Sequence, residues 1–428
     1  MPHPEQKNTM KYVIVIPDGC ADEPVAALGG RTALQAARLP HIDALGQAGV
    51  VGLSDNVPPT LTAASDVATL SLLGYDPLEV YTGRAPLEAA AMGIPLGPND
   101  WAIRCNLVHA SQGNMTDFTS GHITSEDGRQ LIEALQQTLG GPVAEGLDHP
   151  AGTLEFHPGV SYRNLLVFRG KPGASPFGLT TKTQPPHDVP DRPLADHLPN
   201  GPGSGFLRSL MEKSKLIFAN HEVNKARRAK GLRDATQIWL WGQGVAPSLE
   251  PFVTKYRKKG AMISAVDLVR GVGCLIGFTR IDVPGATGYL DTDYAAKGRY
   301  AIEALKHHDV VCVHVEAPDE ASHEGNAAAK VEALERIDTD IVGPIIEGLR
   351  AYPKWRILIT PDHRTTLATR AHAHGAVPFV VSGTGVLGLG QLGYTESVAS
   401  QSPVSIGRGH RLMGHFLADT FPSGLIES

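Results

Sequence analysis

The stretch YVIVIPDG (residues 12–19) sets the fold. Its apolar residues run on without the polar alternation of a half-exposed strand. Both faces must therefore be buried, as in a parallel sheet covered by helices. Asp18 and Gly19 follow at once. The pattern recurs twice: VVCVHV (310–315) leads into Glu316-Ala-Pro-Asp319 with His323 four residues on, and RILIT (356–360) leads into Pro361-Asp362-His363. Residues 238–240, 262–266 and 379–381 are further strand candidates, with helices between most of them. Residues 34–49 read as a helix broken at Pro40. The expected fold class is α/β, with a mostly parallel sheet drawn from both ends of the chain and flanked by helices.

The middle of the chain reads differently. Hairpin-like alternation runs through 101–119 and 154–167, and a Pro/Gly/His-rich stretch at 171–205 reads as a long loop. A basic segment, VNKARRAKGLR (223–233), reads as a helix whose charges face solvent. With 428 residues, one core is not enough. The expectation is a discontinuous core (1–100 and 235–428) interrupted by a smaller α+β domain (101–234) that binds substrate and acts as a lid.

Composition narrows the partners. Apolar residues make up 42% and charged residues 19%, and the net charge is −6, so no electrostatic case exists for nucleic acid or an anionic membrane. No apolar run approaches the ~20 residues that span a bilayer. The start, MPHPEQKNTM, is polar and lacks the apolar segment of a secretory signal. Cys20, Cys105, Cys274 and Cys312 are isolated and suit free thiols in a reducing cytoplasm, the expected location.

Ligands of open α/β sheets collect at the carboxyl ends of the strands. Asp18, Asp319 and Asp362 delivered to one such edge would repel one another unless a cation lay between them. With His323, His363 and a histidine from RAHAH (370–374), the set suits divalent ions of the Zn, Mn or Mg class. There are more ligands than one tetrahedral ion takes, and two ions roughly 3.5–4 Å apart clamp both ends of a phosphoryl displacement. The stretch TLTAASDVATLSLLGYDP (60–77) then offers two readings of Ser65. It is either the N-cap of a helix or a nucleophile at a helix N-terminus, where phosphoserine is stabilised. A cation that lowers its pKa favours the second reading.

These residues carry a resemblance. PDGCAD, ASDVATLSLLGYDP, VYTGRAPLEA, PDEASHEGN, TPDH and a histidine six residues before Pro378, taken in order, resemble the archaeal-type cofactor-independent phosphoglycerate mutases of the alkaline phosphatase superfamily, from Lys11 to about Arg411. The resemblance implies an alkaline-phosphatase-like core and two divalent metal ions (Mn, Zn, Co or Mg class) with no 2,3-bisphosphoglycerate. One ion falls to Asp319, His323 and His372, with His374 as the fallback for the last; the other falls to Asp18, Ser65, Asp362 and His363. The implied substrate is a small phosphorylated metabolite, its phosphoryl group moving between the 2- and 3-hydroxyls of glycerate through phosphoserine on Ser65. The oligomeric state stays open.

The pattern departs from that family in its arginines. His122 and Trp241 stand where some members have arginine, which leaves Arg84, Arg104, Arg163 and Arg299 as anion binders, with His187 and Lys297 as further candidates for substrate contact. Asp66 either orients a ligand or favours the helix dipole. The departures resemble a bacterial branch proposed to be homoserine kinases, which gives ATP-dependent phosphorylation of an amino-acid hydroxyl as the alternative. A phosphomonoester hydrolase is the second alternative.

Overall fold

The computed structural model describes residues 10–146, 148–178 and 180–427. The polar start of the chain lies outside the described residues, apart from Met10. The chain divides into two compact units. One comprises the residues up to Tyr81 and those from Leu249 onward; the other is Thr82–Ser248.

The first unit is built on a sheet of nine strands among the described residues. Its centre is Lys11–Pro17, buried along its whole length between Val310–Val315 and Trp355–Ile359, parallel to both. Outward from Val310–Val315 lie Gly260–Ile263 and Thr279–Arg280. Outward from Trp355–Ile359 lie Val377–Gly383, Val50–Ser54, Val404–Ile406 and Leu425–Glu427. Val377–Gly383 is antiparallel to both its neighbours, and every other pairing is parallel. Val13, Val15, Val311, Val313, Ile357 and Ile359 share one core with the covering helices. The expected α/β sheet is present, and the break at Pro40 separates Ala33–Ala36 from Pro40–Ala48, because proline starts a helix far better than it continues one.

Register decides where the chemistry lands. Val15 pairs with Val313 and with Ile359, so the three strands end level. Asp18, Glu316 and Asp362 therefore leave the sheet at the same carboxyl edge. Gly19 turns the chain there with a φ of 58°, and a Cβ at this position would lie 2.3 Å from Asp319 Oδ1. Only glycine combines that backbone with so close a carboxylate.

A buried ion pair pins the neighbouring loops. Lys330 Nζ is 2.8 Å from Asp22 Oδ2 and 2.8 Å from the Thr365 carbonyl, and Asp22 also accepts the Leu367 N–H. Both side chains of the pair are fully buried. Lys330→Met leaves the Asp22 charge unpartnered, and we expect a loss of about 3–5 kcal/mol, read by chemical denaturation. The double change Lys330→Met with Asp22→Leu is expected to recover much of it.

The second unit has its own sheet. Trp101–Ser111 is its central strand, antiparallel to Arg163–Arg169 on one side and Gln237–Val245 on the other. Gly152–His157, Gly141–Val143 and Asn114–Asp117 complete it. Ile238–Leu240, a candidate for the parallel sheet, belongs here instead, because its apolar residues join Ile103, Cys105 and Leu107 in the second core. With it, the boundaries move outward to Thr82 and Ser248 from the expected 101 and 234. The loop at 171–205 contains two short 3₁₀ turns, Pro186–Asp188 and Leu194–His197, and buries Phe177, Val189 and Leu194. The basic helix, Glu222–Ala229, is not simply solvated. Arg227 is buried, donating to Asp127 and to the Ser120 carbonyl. Among the described residues no helix is long and apolar enough to cross a membrane.

Candidate active site at the sheet edge

Each of the three aspartates at the edge of the first unit has one oxygen held by protein donors and the other turned inward. Asp362 Oδ1 accepts the Gly19 N–H (3.1 Å) and the His363 N–H (2.8 Å), while its buried Oδ2 has no hydrogen-bond partner. Asp319 Oδ1 accepts from Thr365 Oγ1, and its Oδ2 faces His323 Nε2 at 3.0 Å and His372 Nε2 at 3.5 Å. Asp18 Oδ2 meets His314 Nε2 at 2.9 Å, and its Oδ1 is likewise buried without a partner.

The imidazoles follow the same logic. His323 Nδ1 lies 2.9 Å from the Arg370 carbonyl and His372 Nδ1 lies 3.0 Å from the Ala63 carbonyl. A carbonyl only accepts, so both rings keep a proton on Nδ1 and turn Nε2 toward the centre. Those two Nε2 atoms face each other at 3.0 Å. His363 Nδ1 meets Thr365 Oγ1 at 3.2 Å, which leaves its Nε2 3.3 Å from Asp362 Oδ2 and 3.6 Å from Asp18 Oδ1. Lone pairs converging on buried lone pairs are repulsive unless a cation or a proton lies between them. The donor set fits divalent cations: Asp319, His363 and His372 bring ligand atoms within 4.8 Å of one another, as do Asp18, Asp362 and His363. His374 is exposed, so the geometry singles out His372 rather than the fallback.

The groups titrate accordingly. The Asp319 hydrogen bond raises His323 to about 9, outweighing its burial. Burial works against the Asp319 carboxylate, yet His323 and His372 hold it well below the usual range. Burial raises Asp18, with Asp362, Glu316 and Asp319 adding to the push. Glu316 is pushed up to about 8 by burial, and Lys297 down to about 8 by the same cause.

Ser65 opens the helix Ser65–Leu72 as its first helical residue, and Ala64, with extended backbone, occupies the cap position. The capping role considered for Ser65 is not what the structure shows. Its hydroxyl lies 3.2 Å from His363 Nε2 and 3.4 Å from Asp18 Oδ2. Asp66 Oδ2 accepts from the Tyr81 hydroxyl and its Oδ1 from the Val67 N–H.

Lys297, a candidate for substrate contact, does not lie at the surface. It is fully buried, with Nζ 3.3 Å from the His314 carbonyl. Arg299, on the same helix, is exposed and 3.9 Å from Asp293. In the second unit, several of the anticipated substrate residues come together. Arg104 is buried, 2.7 Å from Glu88, and its guanidinium stacks 4.1 Å over the Trp241 ring. His187 packs edge-on to Trp241 at 5.5 Å. Burial lowers the His187 pKa against the pull of Asp188, and Arg84, Arg104 and Arg163 lower it further, so all three guanidiniums act on this one ring. Arg163 itself is exposed, over the Tyr162 ring. His122 is exposed, with a φ of 48° and its N–H donated to Thr119 Oγ1.

Sequence reasoning missed Thr365 and His314. Thr365 had no signal beyond lying two residues after His363. His314 had one: it is the single polar side chain inside the apolar run 310–315.

A mostly parallel α/β unit that gathers carboxylates, imidazoles and a serine hydroxyl at its strand ends defines the class of protein. The comparisons make it specific. The family model for 2,3-bisphosphoglycerate-independent phosphoglycerate mutase matches residues 46–224. A protein of that name from Methanothrix thermoacetophila is 45% identical over 410 residues, covering 96% of this chain and all of its own. One from Methanothermobacter thermautotrophicus is 45% identical over 407 residues, covering 95% of this chain and 96% of its own. The chain belongs to the 2,3-bisphosphoglycerate-independent phosphoglycerate mutase family. A solved structure from Pyrococcus horikoshii superposes with a TM-score of 0.78 at 27% identity, covering 96% of this chain and 97% of that one.

Proposed function

We propose that this protein interconverts 2-phosphoglycerate and 3-phosphoglycerate through a phosphoserine on Ser65, without 2,3-bisphosphoglycerate. The observation that carries the reading is the position of the Ser65 hydroxyl. It stands at the start of a helix, within 3.4 Å of Asp18 and His363, beside carboxylate oxygens that no protein donor serves. Asp319, His323 and His372 would hold one divalent cation, and Asp18, Asp362 and His363, with Ser65, a second. When bound, such cations lower the pKa of a serine hydroxyl and neutralise phosphoryl oxygens.

Ser65 Oγ attacks phosphorus, the Oγ–P bond forms, and the bond from phosphorus to the glycerate oxygen breaks. The positive end of the Ser65–Leu72 helix dipole stabilises the phosphoserine dianion. The other glycerate hydroxyl then takes the phosphoryl group back and Ser65 is restored. Between the two steps the glycerate must be retained, and Arg84 and Arg104 are the candidates we assign to its carboxylate and phosphate groups. Arg84→Ala is expected to raise KM for phosphoglycerate by about 10-fold or more while kcat falls less, as follows from losing a charge-assisted hydrogen bond. Steady-state kinetics in both directions check it. The phosphoserine is tested by acid-quenching the Mn-loaded protein with 3-phosphoglycerate and sequencing the Ser65 peptide by mass spectrometry. A phosphate on Ser65 is expected, and a peptide that stays unmodified under turnover overturns the mechanism.

A further inference from the structure

The three aspartates present one oxygen each, but only Asp18 depends on a side chain from a different strand of the sheet to do so. Its Oδ2 lies 2.9 Å from His314 Nε2, and both groups are fully buried. On the far side of the ring, His314 Nδ1 is 3.3 Å from Ser264 Oγ, and that oxygen already accepts the Val266 N–H at 3.0 Å. A hydroxyl both donates and accepts, so Ser264 alone leaves the ring tautomer open; the Asp18 carboxylate, which only accepts, sets it. The ring proton is then on Nε2 and points at Asp18 Oδ2. The ring thereby occupies one oxygen of Asp18 and leaves Oδ1 bare, 3.6 Å from His363 Nε2.

We infer that His314 is a positioning residue. Through the Nε2–H that it donates to Oδ2, it fixes Asp18 as a one-oxygen ligand through Oδ1. This rests on the reading of the centre as a divalent-cation site. An alternative use of the same atoms is a third cation held by Asp18, His314 and Glu316, whose ligand atoms also lie within 4.8 Å of one another. Two features oppose it. The His314 Nε2 lone pair that such a cation needs is replaced by N–H in this tautomer, and the fully buried Lys297 ammonium sits 3.3 Å from the His314 carbonyl, a cation already in place.

The test is Mn²⁺ titration of the metal-stripped full-length protein by calorimetry, for the wild type, His314→Leu and His314→Gln, each first compared in melting temperature. Two ions per chain are expected for the wild type. His314→Leu should weaken one of the two about 10–100-fold and leave the other unchanged. His314→Gln, whose amide N–H reaches to where Nε2–H stands, should recover most of that loss, which a purely structural role would not produce. Ser264→Ala is the milder variant should His314→Leu fail to fold, and it should weaken the same ion several-fold by removing the contact that steadies the ring at Nδ1. Unchanged affinity in His314→Leu, or in Ser264→Ala where that replaces it, overturns the inference. A third ion, bound by the wild type and lost in His314→Leu, overturns it in favour of His314 as a ligand. A wild type that binds no Mn²⁺ overturns the cation reading of the whole centre, an outcome distinct from the other two.

Discussion

Ser65→Ala is expected to lower turnover by about 10⁴–10⁶-fold, the scale seen when a nucleophile is deleted from a centre whose other parts remain. Its melting temperature should stay close to that of the wild type. The second half of this expectation comes from the helix geometry. Were Ser65 the cap, alanine would cost about 1 kcal/mol. But Ala64 fills the cap position and has no side chain to offer, so the helix loses nothing it was using. Among the described residues the Ser65 hydroxyl reaches Asp18 and His363, both in the centre. Kinetics and thermal melts on one preparation separate the two effects. A variant that melts much lower and keeps measurable turnover would mean the hydroxyl is structural.

The second large effect concerns cation removal. Asp18, Glu316, Asp319 and Asp362 are gathered at one buried edge, and without added cations the protein relieves their repulsion by holding protons. Glu316 rises to about 8 because burial penalises its charge, and His323 rises to about 9 because Asp319 binds its proton. Both groups hold more protons folded than unfolded, so the sign is the same for each. The stability they lend the stripped protein falls as pH climbs, from about 4.5 to 8 for Glu316 and from about 6.5 to 9 for His323. Cations displace the His323 proton on binding. The rise in melting temperature on adding Mn²⁺ to chelator-treated protein should therefore grow between pH 6 and 9. At 100 times Kd each ion adds about 2.7 kcal/mol. Chelation should also abolish turnover, and Mn²⁺ should restore it. A stabilisation independent of pH would mean that His323 gives up no proton to the ion.

How much of this was legible in the sequence follows from what each residue needs. Buried parallel strands are apolar throughout, and a polar pair directly behind one stands out, so Asp18, Asp319, His323, Asp362 and His363 could be read from position alone. His372 needed the resemblance, since RAHAH offers two histidines, and only the hairpin register opposite Thr365 turns one of them inward. Gln237–Val245 went to the wrong sheet, because a run such as IWLW is equally apolar in either core; pairing with Trp101–Ser111 is a long-range fact that no local pattern encodes. Lys297 was read as a candidate for substrate contact and Arg227 as part of a solvated face, because charge usually faces solvent or a ligand. Each is buried where a specific acceptor waits, the His314 carbonyl for one and Asp127 with the Ser120 carbonyl for the other. His314 itself was printed in the strand, but its partner, Asp18, lies on the neighbouring strand's end and appears only when the register is known.

The most direct test of the central claim is phosphorus NMR of the Mn-loaded protein with 3-phosphoglycerate and no nucleotide, run beside an assay of ATP consumption with L-homoserine. The mechanism predicts a 2-phosphoglycerate resonance growing to equilibrium without ATP, absent in Ser65→Ala, and no homoserine-dependent release of ADP. A 3-phosphoglycerate signal that stays unchanged while homoserine drives ATP consumption would contradict it, and would assign the same metal-ligating edge to a kinase.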